Sequence, residues 1–337
     1  MTNICIIGEA YGEAEEKAKA PFVGASGYEL TRMLDDAGIR RSDCYLTNVF
    51  NLRPQGNKIE SILMGKAEAL KGFPALTKGK YVPATLGPEL ERLGDELVAC
   101  NPNLIIALGN TPLWALSGRT GVSKLRGTTF ISDHTVSGFK CLATYHPAAI
   151  LRQWELRPVA VLDLAKAERE SHYAELRRPK REIWIDPTIE DIEQFYSRHI
   201  HGCHRLSVDI ETSGNQVTCI GFAPSANLAL VVPFVAPKRK GRNYWSTIDL
   251  ERAAWGIVKR ILEDRTIRKT FQNGLYDIAF LWRSMGLRVY GASDDTMLCH
   301  HALQPESLKG LGFLGSIYTD EGSWKGMRKT ETIKADE

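Results

Sequence analysis

The sequence predicts an α/β protein of two domains, a largely parallel sheet followed by an antiparallel meander with helices, and three observations carry this. The first ~175 of its 337 residues alternate short apolar runs with amphipathic stretches, which implies a parallel sheet with its site at the strands' carboxyl ends. A polar, charged stretch, AERESHYAELRRPKRE, then breaks the pattern and puts a boundary at about residues 172–182. Beyond it, three β-rich runs joined by short turns read as an antiparallel meander, and helical patterns follow.

In order along the chain, ICII (4–7), CYLTNVF (44–50), NLIIAL (103–108) and KCLATYH (140–146) read as buried strands. Between them, GYELTRMLDDAG places Leu30, Met33, Leu34 and Ala37 on one helical face. LGPELERLGDELVA does the same with Leu86, Leu90, Leu93 and Leu97. In the second part HRLSVDIETSG, QVTCIGFAP and LALVVPFV are the meander strands, with helices expected at 247–264 and 274–286. The division is 1–175, a basic linker at 176–182, a second domain at 183–325 and a polar tail at 326–337.

Hydrophobic content of 43% and charged content of 25% suit a soluble globular protein. No apolar run approaches the ~20 residues of a membrane span, and the opening has no basic leader, so a cytoplasmic protein without membrane partners is expected. The seven cysteines are scattered, with no Cys-x-x-Cys, which argues for reduced thiols rather than a zinc finger or disulfide scaffold. Net charge is only +3, but RRPKR and KRKGR are dense basic runs. Arg178, Lys180 and Arg181 in the first, with Lys238, Arg239 and Lys240 in the second, are candidate contacts to a nucleic-acid backbone; the alternative is a solvated linker and a solvated loop.

The segment GEAYGEAEEKAKAPFVGASG (8–27) is glycine-rich after a strand, yet contains neither a dinucleotide fingerprint nor a P-loop. Glu9 and Glu13 would repel phosphate, so the loop better suits a neutral flat ring or a developing positive charge. Informative residues recur at strand ends: Glu9 after the first, Asn48 in the second, Gly109-Asn110 after the third, His146-Pro147 after the fourth. GEAYG (8–12), PFVG (21–24), LTNVFNLRP (46–54), LGNTPLWAL (108–116) and TYHPAAILR (144–152), with a final helix bearing Asp163, together resemble the uracil-DNA glycosylase superfamily, closest to its iron–sulfur class.

That resemblance implies a pocket for an extruded base. Glu9 would stabilise the oxocarbenium-like sugar or orient a water, and a neutral His146 would donate to the departing base. Phe22 would stack on the base, and the Asn48 amide would read the pyrimidine edge and reject cytosine. Tyr11 stands where the class has proline, which exchanges a φ-locked loop for a freer one carrying a phenol. The cluster-binding pattern is also missing. The Cys-x-x-Cys expected before the first strand does not occur, and the internal ligand positions fall on Leu52 and Leu86. No iron–sulfur cluster is therefore expected, and Cys44 and Cys100 read as buried hydrophobes.

In the second domain, SVDIETSG places Asp209 and Glu211 two apart on a strand, facing one side. FQNGLYDIAFL puts Asn273 and Asp277 at i and i+4 of a helix. Like charges on a single face call for a divalent cation. With DDTMLCHHALQPE (294–306) and SLKGLGFLGSIYTDEGSWK (307–325), these motifs resemble the 3′–5′ exonuclease domain of family A DNA polymerases, bacteriophage members especially. The resemblance implies an RNase H-like, DnaQ-type fold with a mixed sheet. It also implies Mg²⁺ or Mn²⁺ on Asp209, Glu211 and Asp277, with Asn273 in support. The family's Tyr-x-x-x-Asp is broken, because Gly322 stands four residues after Tyr318. A fourth carboxylate is therefore missing and weak hydrolysis is expected.

The whole reads as a DNA-processing enzyme that excises uracil and carries a 3′–5′ exonuclease-like domain. Its expected substrates are uracil-containing DNA, single strands or 3′ ends, and a replication polymerase is an expected partner. The alternative is a non-catalytic DNA or uracil reader, the front part of a phage-type polymerase.

Overall fold

The computed structural model describes residues 3–236, 243–319 and 321, and the chain divides into two compact units. Residues up to Arg178, together with those from Gly312 on, form one unit; Pro179–Leu311 form the other. Among the described residues no helix is long and apolar enough to cross a membrane.

The first unit is built on a five-stranded sheet. Its strands are β1 (Ile4–Ala10), β2 (Cys44–Phe50), β3 (Leu104–Leu108), β4 (Thr129–Asp133) and β5 (Ser137–Thr144), in the order β2-β1-β3-β5-β4. All pairs are parallel except β4–β5, whose edge strand β4 the sequence pattern did not mark. The helices are α1 (Glu13–Ala18), α2 (Ala25–Asp36), α3 (Gly87–Cys100), α4 (Asn110–Ser117), α5 (Val122–Leu125), α6 (Pro147–Ile150) and α7 (Arg157–Glu170). Leu30, Met33 and Leu34 of α2 pack on one face of the sheet with Leu164 of α7, while Leu90, Leu93 and Leu97 of α3 pack on the other. Both faces are thus covered, which is why β3 is apolar at every position. The chain leaves β1 toward β2 on one side and returns to β3 on the other. The β1/β3 junction is therefore the switch point where such sheets open a crevice.

The second unit has a six-stranded sheet in the order β11-β10-β7-β8-β9-β6. The strands are β6 (Glu182–Trp184), β7 (Arg205–Ser213), β8 (Gln216–Ser225), β9 (Leu228–Pro233), β10 (Arg268–Phe271) and β11 (Ala292–Asp295). The β7–β8–β9 meander is antiparallel, while β10 runs parallel to β7 and to β11, giving the expected mixed sheet. Its helices are α8 (Ile189–Phe195), α9 (Ile248–Glu263), α10 (Gly274–Met285) and α11 (Thr296–Leu303). Along β7, Leu206, Val208 and Ile210 are buried against Ile257, Val258 and Ile261 of α9, and Ser207, Asp209 and Glu211 are exposed on the other side.

The last described helix is α12 (Leu311–Tyr318). From Gly312 on it belongs to the first unit. There Arg126 donates to Ser316 Oγ at 3.0 Å and lies over the Phe313 ring at 5.4 Å, and Lys166 Nζ donates to the Thr319 carbonyl at 2.9 Å. Arg126 and Lys166 are both buried, and the same Arg126 pairs with buried Asp163. Acceptors at the carbonyl end of a helix suit this pair of buried cations.

Candidate functional site

At the carboxyl ends of β1, β2, β3 and β5 lies a cavity of ≈ 460 Å³, the size of a small-ligand pocket. Glu9, Tyr11, Phe22, Asn48 and His146 all line it. Glycine sets its narrowest part. Gly8 lies opposite Asn48 in the β1–β2 register, and a Cβ at Gly8 would sit 2.2 Å from Asn48 Oδ1 and 2.6 Å from Phe22 Cζ. The bare backbone is therefore what lets the amide and the aromatic edge meet there. The Phe22 and His146 rings are near-parallel at 29°, with centroids 6.0 Å apart.

The walls are held from behind. Phe22 has φ +56°, and its carbonyl accepts from Arg41 Nη2 at 2.8 Å. The same carbonyl presses on Gly27, where a Cβ would lie 1.8 Å from it. Glu15 Oε1 accepts from the Gly24 N–H at 3.0 Å and ties α1 to the loop carrying Phe22. Asn48 is buried, and Arg92 of α3 donates to its carbonyl at 2.9 Å and to that of Val49 at 3.0 Å. Arg92 is itself flanked by Glu89 and Glu96 at 3.2 and 2.7 Å.

Tyr11 does not free its loop as the exchange of proline suggests. Its N–H, which proline lacks, donates to the Leu52 carbonyl at 3.1 Å, and the side chain is buried. One constraint has replaced another. Leu52 and Leu86, at the two internal cluster positions, both pack against the apolar core under β2 and α3.

Glu9 and His146 are both shifted by burial. Burial raises Glu9 above its ordinary value, while the Thr111 hydroxyl, donating to Oε2 at 2.5 Å, favours the ionised form. Burial, aided by the Arg152 charge, lowers His146 to about 4. It is therefore neutral at pH 7, and Nδ1 accepts the Ala148 N–H at 3.1 Å. The ring proton accordingly sits on Nε2. A neutral donor beside a slot for a flat ring can stabilise a leaving anion without a proton having to be supplied first.

On the second unit, Asp277 in the first turn of α10 is buried, and its Oδ1 accepts the Ile210 N–H of β7 at 3.1 Å. Burial raises its carboxyl, and the negative charges of Asp295 and Glu211 push it the same way. Asp209 and Glu211 share the exposed face of β7. Among the described residues no three His, Cys, Asp or Glu side chains are arranged to hold a metal ion. The acidic neighbourhood suits a hard divalent cation by donor type and charge. Asn273, at φ +60°, is the N-cap residue of α10 and makes no side-chain capping hydrogen bond. Asp295, unmarked in the sequence reading, accepts the N–H groups of Asn273 at 3.1 Å, Gly274 at 2.8 Å and Met297 at 2.9 Å. It fixes the start of α10 and so the place of Asp277.

Sequence comparison decides the assignment. The uracil DNA glycosylase superfamily model matches residues 1–175. A type-4 uracil-DNA glycosylase of Thermotoga maritima is 32% identical over 171 residues, 50% of this chain and 77% of that one. The type-4 enzyme of Archaeoglobus fulgidus is 31% identical over 173 residues, 49% and 74% of the two chains.

The chain belongs to the uracil-DNA glycosylase superfamily.

To this glycosylase domain is fused a 3′–5′ exonuclease domain, whose family model matches residues 186–333. Among solved structures, a Trypanosoma brucei RNase D–GMP complex is 16% identical with a TM-score of 0.34, covering 45% of this chain and 47% of that one. Brucella melitensis NrnC with bound Mg²⁺ is 19% identical with a TM-score of 0.29, covering 43% and 62%. The chain thus spans about half to two thirds of the length of these nucleases.

One cavity brings Glu9, Tyr11, Phe22, Asn48 and His146 together. Sequence reading missed Thr111, Glu15, Arg41 and Arg92. Thr111, one position after Gly109-Asn110, was the most accessible of these; the two arginines carry no local motif. Arg178, Lys180 and Arg181 are exposed, and none lines the cavity. Lys238, Arg239 and Lys240 lie outside the described residues.

Proposed function

We propose that the glycosylase domain hydrolyses the N-glycosidic bond of deoxyuridine with the residues that line its cavity. The base enters out of the stack, Phe22 covers its face, and the Asn48 amide pairs with its edge. Glu9, held by Thr111, stabilises the cationic sugar or orients water toward C1′. As the C1′–N1 bond breaks, the electron pair passes to the base, and Nε2–H of His146 donates to the resulting anion. The observation that carries this reading is His146 on the cavity wall with its Nδ1 engaged by the Ala148 N–H, which leaves Nε2–H to donate.

Leaving-group chemistry tests the role. 5-Fluorouracil departs more readily than uracil, so His146→Ala should lose much more single-turnover rate on uracil than on 5-fluorouracil. Equal losses on both bases would contradict a donor role.

The domain works without an iron–sulfur cluster in this proposal, because apolar Leu52 and Leu86 occupy the internal ligand positions and pack into the core. In the nuclease domain Asp209, Glu211 and Asp277 would hold Mg²⁺ or Mn²⁺, which activates water and offsets charge on a phosphodiester. Gly322 stands where the family's Tyr-x-x-x-Asp carries its acid, so a fourth carboxylate is missing and hydrolysis is slow in this proposal. DNA is the common substrate of the two domains, with uracil-containing single strands and 3′ ends as the proposed forms. A replication polymerase is the proposed partner and the cytoplasm the proposed location.

A further inference from the structure

The far end of α10 from Asp277 carries a group of side chains that the chemistry above does not use. Trp282 is 50% exposed, and the Arg288 guanidinium lies 5.1 Å from the centre of its ring. Arg288 Nη1 donates to the Tyr290 hydroxyl at 3.4 Å, and the Arg265 guanidinium lies 4.1 Å from the Tyr290 ring. Trp282, Arg288, Tyr290 and Arg265 thus form a surface ridge in which two rings alternate with two guanidiniums.

The ridge is held by backbone. Leu287 is buried and Val289 packs on the same core, so Arg288 and Tyr290 point the other way on an extended segment. The Tyr290 N–H donates to the Leu262 carbonyl at 3.0 Å, which anchors that segment to the end of α9 beside Arg265. Glu263 acts on Arg288 from a distance, and neither arginine forms an ion pair among the described residues. Two cations aligned over rings by the fold, with no carboxylate on either, are placed to meet an anion.

We infer that this ridge is a docking site for single-stranded DNA, distinct from the carboxylates of the nuclease domain. Guanidiniums bind phosphates, and the half-exposed Trp282 ring, with partly exposed Tyr290 beside it, offers a stacking surface to bases whatever their identity. Charge complementarity selects a polyanion, and the interleaved aromatics select unpaired bases over a duplex. The site would hold a strand by its backbone while the acidic face of the same unit meets its 3′ end. The inference stands on the ridge geometry, whether or not the nuclease hydrolyses.

The test is equilibrium binding of a fluorescent thymine-only oligonucleotide in EDTA, where neither domain can turn it over, across a salt series. Losing two phosphate contacts in Arg265→Ala/Arg288→Ala should flatten the log K against log [salt] slope by about 1.4. Trp282→Ala should weaken binding roughly tenfold with little change in slope. The control Arg252→Ala/Lys259→Ala removes the same charge from the exposed surface of α9. Photocrosslinking of 4-thiothymidine oligomers to wild-type protein, mapped by mass spectrometry, reads the site without any variant and should label the peptides holding Trp282 or Tyr290. An unchanged slope in the ridge double variant, equal losses in the control, or crosslinks confined to other peptides would each overturn the inference.

Discussion

Gly8→Ala places a single methyl group where the cavity is tightest. Its carbon would lie 2.2 Å from Asn48 Oδ1, 2.6 Å from Phe22 Cζ and 3.2 Å from Phe22 Cε2. Contact normally begins near ~3.5 Å, so the amide and the ring must each retreat by about 1 Å. The backbone of Gly8 is ordinary β-strand paired with β2, so alanine adds volume there without left-handed strain. Overpacking of this kind costs about 1–3 kcal/mol of stability. The larger effect falls on function, because a ~1 Å misplacement at a reacting centre can cost roughly 10²-fold in rate. Single-turnover excision from a uracil oligonucleotide, read as alkali-labile cleavage, should therefore fall about 100-fold while the protein still melts cooperatively. Gly65→Ala, where a Cβ meets nothing within 4 Å, is the matched control and should excise like wild type. If Gly8→Ala retains wild-type excision, Asn48 and Phe22 do not form the base slot.

Four other outcomes follow. Since burial raises Glu9 above 4.5 while His146 stays neutral down to about 4, the acid limb of the excision rate should lie above pH 4.5 and should disappear in the residual activity of Glu9→Gln. The unfolded chain protonates His146 near its ordinary 6.5 whereas the folded one waits until about 4, so stability should fall by about 3 kcal/mol between those pH values and level off below; denaturant titrations of wild type against His146→Gln should isolate this loss. Arg92→Ala should lower uracil kcat/KM roughly tenfold and erode the preference over cytosine, because two carbonyls at the end of β2 lose a charged donor; a variant that loses stability with discrimination intact would leave Arg92 a purely structural residue. Release of mononucleotides from a 3′ end should be slow, greater with Mn²⁺ than with Mg²⁺, and lost in Asp277→Asn, as read on a 3′-labelled oligonucleotide.

Much of this was legible because the strands carry their own signals. β2 runs over the seven residues CYLTNVF that the apolar pattern marks, and period-2 burial on β7 puts Asp209 and Glu211 on one face. The hairpin strand β4 and the three-residue β6 were not, because edge strands this short have no periodicity of their own. Glu9, Asn48 and His146 stand at or near strand ends and could be named, whereas the residues that support them could not. Arg92 reaches Asn48 across 44 positions of sequence, and Thr111 reaches Glu9 across 102. The place of α12 was equally hidden. GFLGSIY is apolar enough for either unit, and its partners Arg126 and Lys166 lie nearly two hundred and about a hundred and fifty residues away.

Free uracil is the most direct product to measure. Protein treated with EDTA, incubated with a uracil-containing single strand, should release uracil detectable by mass spectrometry and leave an intact backbone with an abasic site. Glu9→Gln and His146→Ala, folded by circular dichroism, should release far less. Absence of uracil release by wild type, or equal release by wild type and both variants, would contradict the assignment of this cavity as the site of glycosidic cleavage.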